Sequence, residues 1–170
     1  MAYRLTATAI ALVLMAGQAW AQTPPATPKA APTADAKPPK WNVNAPPGMT
    51  TREIRIAVDS GTWMNVDVSR DGKLIAFDLL GDIYVMPITG GTPTRIAEGL
   101  AYDQQPRFSP DGKRIAFVSD RGGGDNIWVM NIDGGDKRPV TKEDFRLLNQ
   151  PSWSPDGRFI VAKKHFTTGR

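Results

Sequence analysis

Few side chains in this sequence have the type and spacing that chemistry demands. Histidine occurs once, as His165, and cysteine does not occur. A hydrolytic metal site needs several His or carboxylate ligands converging on one point. His165 stands beside Lys163 and Lys164 without such company, so it reads as an ordinary loop or strand residue. A serine nucleophile of the hydrolase type would sit in a Gly-x-Ser-x-Gly elbow, and the sequence has none. Gly122-Gly123-Gly124 has the glycine content of a phosphate loop, but no Lys-Ser/Thr follows it. It reads instead as an elongated hairpin tip. Asp120, Arg121 and Asp125 flank that tip and could take a partner or a cation; the simpler expectation is that they bond the loop's own backbone, as Asx turns do. Trp63, Trp128 and Trp153 could stack on a ligand, but apolar neighbours at comparable strand positions make them core between packed sheets. The sequence thus offers no catalytic residue, no cofactor-binding residue and no metal ligand, and this segment is expected to need no cofactor.

The elements that carry these residues repeat. Val68-Ser69-Arg70-Asp71-Gly72-Lys73-Leu74-Ile75-Ala76-Phe77 aligns with Phe108-Ser109-Pro110-Asp111-Gly112-Lys113-Arg114-Ile115-Ala116-Phe117 and with Trp153-Ser154-Pro155-Asp156-Gly157-Arg158-Phe159-Ile160-Val161-Ala162. The Asp-Gly pairs lie 40 and 45 residues apart. Ile83–Gly91 matches Ile127–Gly135 at an offset of 44, Thr94-Arg95-Ile96-Ala97 matches Arg138-Pro139-Val140-Thr141 at the same offset, and Gln105-Pro106 returns as Gln150-Pro151. In the turn, proline presets φ, Asp bonds nearby backbone and Gly takes the left-handed conformation. Arg70 replaces that proline in the first repeat. Ile115–Val118 and Ile127–Met130 are continuous apolar runs rich in β-branched and aromatic residues, which suits strands of a sheet covered on both faces. Four-stranded sheets of this kind at a period of 40–45 residues are the blades of a β-propeller. The fold class is therefore all-β, a partial β-propeller of about two and a half repeats, near 60–97, 102–141 and 147–170.

The flanks have a different character. Arg4, the apolar run Leu5–Gly17 and the small residues of Ala19-Trp20-Ala21 make 1–21 a secretory signal peptide, cleaved after Ala21. No membrane anchor is expected after cleavage, and the protein is expected to be exported to the periplasm or secreted. Residues 22–40 are Pro, Ala, Thr and Lys, a composition that cannot bury enough surface to order itself, and read as a disordered linker. The incomplete propeller then occupies 41–170. That stretch holds 17 basic and 16 acidic residues, and a neutral body lacks the electrostatic footprint of a nucleic-acid binder. The third repeat breaks off at Arg170, before its expected aromatic strand and Gly-Gly turn, and closed propellers typically have about 4–8 blades, so the chain is expected to be the front of a longer protein. Residues 52–58 alternate like a strand and are expected to complete a final blade and close the ring. With the ring open, residues 22–170 are expected to expose apolar faces and to associate.

Ser-Pro-Asp-Gly-Lys/Arg-x-Ile-Ala-Phe, followed by Ser119-Asp120-Arg121-Gly122 and Asp125–Met130, resembles the TolB-like, WD-related propeller repeat of bacterial envelope proteins. Trp41–Gly48, Gly61–Met64, Phe77–Tyr84, Lys142–Pro151 and Lys163–Phe166 are similar to the N-terminal propeller of exported amidohydrolases. The narrower resemblance implies a scaffold or accessory role beside a metal-dependent barrel of the same protein, whose catalytic residues have no counterpart here. Two other readings remain open: an envelope protein-binding module like the TolB translocation component, and the propeller of a prolyl-oligopeptidase-type serine peptidase. The partner is accordingly either a downstream catalytic domain or an envelope protein.

Overall fold

A computed structural model describes residues 41–144 and 147–166. The expected signal peptide (1–21) and linker (22–40) lie outside the described residues. Ten strands follow in order: β1 (Val66–Val68), β2 (Leu74–Leu79), β3 (Asp82–Pro87), β4 (Thr94–Ala97), β5 (Asp103–Phe108), β6 (Arg114–Ser119), β7 (Asn126–Asn131), β8 (Arg138–Pro139), β9 (Leu148–Trp153) and β10 (Ile160–Lys164). They form two four-stranded sheets, β1-β2-β3-β4 and β5-β6-β7-β8, and a two-stranded sheet of β9 and β10. Every pairing is antiparallel. These are two blades and the inner half of a third, each a meander, as the repeat requires.

The Asp-Gly hairpin is built the same way three times. Ser69, Ser109 and Ser154 donate their hydroxyls to Asp71, Asp111 and Asp156 at 2.6, 2.5 and 2.5 Å. Each serine oxygen in turn accepts the amide of Leu74, Arg114 or Phe159 at 2.9–3.0 Å. The same aspartate oxygens accept the amides of Lys73, Lys113 and Arg158 at 3.1 Å. Gly72, Gly112 and Gly157 sit at φ of 70°, 69° and 69°, where a Cβ is disfavoured. Arg70 leaves this geometry intact, so the proline of the other two turns only preorganises it.

Both faces of the second sheet are covered, which explains its continuous apolar runs, whereas the first and third sheets each pack on one face. Ala76, Ile83, Ile96 and Ala97 of the first blade pack with Phe108, Ile115, Phe117 and Met130 of the second in one buried cluster. Val118 and Ile127, on the opposite face of the second blade, pack with Leu148, Ile160 and Ala162 of the third. The core therefore lies between blades rather than within one, and the strand alternation of side chains decides which neighbour each residue meets.

Two expectations need comment. Trp63 is not core: it is 99% exposed, in no strand, with a φ of 59°. Its resemblance to a strand position failed because the ladder of the first blade begins only at Val66. Trp128 does pack against the cluster between the first two blades. Residues 52–58 form no ladder with any described strand and are exposed. Their expected role in closing a ring concerns strands other than these ten.

Candidate functional site

The inner strands β1, β5 and β9 lie side by side and are joined by bonds that cross from blade to blade. Asp67 accepts the amide of Phe108 at 2.7 Å. Asp78, buried in β2, accepts the side-chain and backbone N–H groups of Asn65 at 2.8 Å each, and the amide of Gln105 at 2.7 Å. Gln105 passes the pattern on by accepting the amide of Gln150 at 2.5 Å. Trp153 donates its indole N–H to the Arg107 carbonyl at 3.1 Å. Gln105 and Gln150 have φ of 56° and 54°, and Gln105 lies at a register shift in β5. Such a bulge turns an amide out of its own sheet, which is how it reaches the neighbouring blade. The recurrence of Gln-Pro was the sequence signal for this device, although its role shows only in three dimensions.

At the Asp-Gly end of these strands lies an open groove of about 280 Å³. Asp67, Arg70, Arg107, Ser152 and Trp153 are among its lining residues. Arg70 is exposed and Arg107 half-buried. Arg107 donates a single guanidinium nitrogen, Nη1, to the carbonyls of Pro106 at 2.9 Å and Val66 at 3.4 Å. Trp153 is held flat on one side by the Arg114 guanidinium, 5.0 Å from the ring centroid.

The residues around the glycine tip are used structurally. Asp120 accepts the amide of Tyr102 at 2.8 Å, so its carboxylate reaches across to the start of the blade instead of closing a turn on its own loop. Arg121 points inward: it pairs with fully buried Asp103, donates to Ser119 at 2.9 Å, and lies 5.6 Å from the ring centroids of Phe117 and Trp128. Burial pushes the Asp103 carboxyl above its ordinary value, against the pull of the Arg121 guanidinium. Asp125 is also raised, by burial and by Asp120. Asn126 ties the loop down by donating to the carbonyls of Gly124 and Glu143 and accepting from Thr141 and the Glu143 amide. Among the described residues the His165 ring meets Asn149 at 2.9 Å, at the surface. Among the described residues no group of three or more His, Asp or Glu side chains is placed to hold a metal ion. What the arrangement can do chemically is bind, through exposed strand edges, guanidinium groups and an indole face.

Comparison with known proteins agrees with this geometry. A tricorn protease homolog of Streptomyces coelicolor is 30% identical over 90 residues, covering 53% of this chain and 8% of its own length. The uncharacterized peptidase YuxL of Bacillus subtilis is 38% identical over 80 residues, 46% of this chain and 12% of its own. The solved structure of a putative TolB from Agrobacterium tumefaciens superposes with a TM-score of 0.54 at 32% identity, over 60% of this chain and 38% of that one. The chain thus spans only about a tenth of the two curated relatives and under half of the solved structure. The sequence profile of the tricorn protease N-terminal beta propeller domain matches residues 60–170. With blades, inter-blade core and turn geometry all in place, the chain belongs to the tricorn protease N-terminal beta propeller family.

Proposed function

We propose that these blades are a non-catalytic protein-docking scaffold in an exported protein, the N-terminal accessory part of a metal-dependent amidohydrolase. One observation carries the reading: the polar side chains with reactive potential, Asp78, Arg121 and Asn126, are consumed in bonds that hold strands, loops and blades. What is left to offer is surface. The segments 41–48 and 142–151 support the amidohydrolase parent by their resemblance, and the signal-like residues 1–21 support export to the periplasm. In this reading the segment needs no cofactor of its own, and its partner is a catalytic domain of the same polypeptide.

A second reading is an envelope protein-binding module, favoured by the TolB-type structure that superposes on the blades. Purifying the native polypeptide from its source cells with an antibody against these blades separates the two. The first reading predicts a polypeptide several times longer than 170 residues, with amide-hydrolysing activity that a chelator removes. A polypeptide without such activity that brings down a stoichiometric envelope protein would establish the second instead.

A further inference from the structure

The repeat is broken in one informative place. Pro110 and Pro155 occupy the position before Asp-Gly in the second and third turns, and Arg70 occupies it in the first. Nothing in the turn requires the change, since the Ser69–Asp71–Leu74 bonds match those of the other two turns. Arg70 instead reaches the groove at the Asp-Gly end of the inner strands, where Arg107 and Trp153 also stand. Among the described residues, neither Arg70 nor Arg107 has a carboxylate within ion-pair distance. The single acid of the groove, Asp67, is occupied by the Phe108 amide. β1, β5 and β9 are edge strands of their sheets, but at the groove the Phe108 amide and the Val66 and Arg107 carbonyls are already taken by Asp67, Arg107 and Trp153, so what the groove offers is side chains.

From this juxtaposition we propose that the groove between Arg70, Arg107 and Trp153 binds an extended acidic peptide segment, which makes Arg70 a specificity-determining residue. The inference rests on the protein-docking reading and gives that partner its chemistry. Guanidinium groups recognise carboxylates through planar, charge-assisted hydrogen bonds. An indole face accepts an apolar or peptide plane beside them, and the open shape of the groove admits an extended segment. A nucleic acid fits less well, because two arginines beside an aspartate do not make the cationic track that a phosphate backbone needs.

The test uses the full chain immobilised on a biosensor surface, so that self-association does not contribute to the signal. Three analytes are a six-residue peptide rich in Glu and Asp around one Leu, its Gln/Asn isostere, and a single-stranded oligonucleotide of equal charge. The acidic peptide is expected to bind about tenfold or more tightly than its neutral isostere, the effect of one charge-assisted pair. Arg70→Pro, which restores the repeat's own residue, should remove most of that preference while leaving the far-UV spectrum and melting profile unchanged. Arg107→Met should do likewise, and Arg95→Met, on the outer strand β4, should not. Equal affinity for the two peptides, an Arg70→Pro variant that binds as before, or tighter binding of the oligonucleotide would overturn the proposal. A neutral peptide bound as well as the acidic one and insensitive to Arg70 would leave the docking reading standing and defeat only this one.

Discussion

The smallest unit that decides the fold is the triad of hydroxyl, carboxylate and left-handed glycine in each Asp-Gly turn. The serine hydroxyl and the following backbone amide hold Asp71, Asp111 and Asp156 below the ordinary aspartate value of 3.8. A depressed folded value means the turn's contribution is complete above that value and is lost as pH falls through the folded one. Carboxyl titration by NMR should therefore place all three midpoints below 3.8, and Ser109→Ala should return Asp111 alone toward it. The same variant leaves the Arg114 amide without its buried acceptor and should cost about 1–3 kcal/mol in a denaturant melt. Arg121→Met should be more severe, because it strands Asp103 in the core; removing one partner of a buried pair costs about 3–5 kcal/mol. Adding Asp103→Asn should recover part of that loss. Proline, aspartate and glycine were legible as turn formers from their types alone. The serine was visible in every repeat but carried no signal of its role, because a hydroxyl that both donates and accepts declares neither bond in a sequence.

Between elements, the decisive fact is that a blade is stable only against its neighbours. The turn before β8 illustrates it. Gly134 has a φ of 83°, and a Cβ there would run into the Ile96 backbone carbonyl of the first blade. Gly90, its repeat partner, has a φ of 92° and open space around it. Gly90→Ala should cost about 1–2 kcal/mol, the price of a left-handed backbone with a side chain. Gly134→Ala should cost visibly more and should loosen the contact between blades, read as a drop in melting temperature several degrees beyond that of Gly90→Ala. The sequence shows the Gly-Gly pairs as equivalent; only the position of the next blade makes them different. The same reasoning explains Trp63, whose apolar neighbours look like those of Trp128, although no strand forms beneath it. Arg121 beside three glycines was read as bonding its own loop; its inward turn onto Asp103, 18 residues earlier, depends on the fold and is not legible locally.

At the scale of the molecule, the inter-blade core predicts which surfaces are costly. Val66 and Val68 on the first blade and Phe159 and Val161 on the third are exposed, the last two at 63% and 68%. Exposed apolar residues beside unpaired strand edges favour association, so purified 22–170 should elute from a sizing column at an apparent size that grows with concentration. A monodisperse monomer with a cooperative melt would contradict this. The architecture itself was legible because a 40–45-residue period with turns in register has few physical solutions. The groove was not, since its lining comes from three repeats and the sequence does not show which strands are innermost. The central claim is that neighbouring repeats pack as blades around shared inner strands, and amide hydrogen exchange tests it most directly. The amides of Phe108 and Gln105 bond across blades, to Asp67 and Asp78. They should be protected as strongly as those of β6 and β7, and Asp78→Ala should release Gln105. Exchange of both amides at the rate of free chain, with β6 and β7 still protected, would show independent sheets and contradict the account.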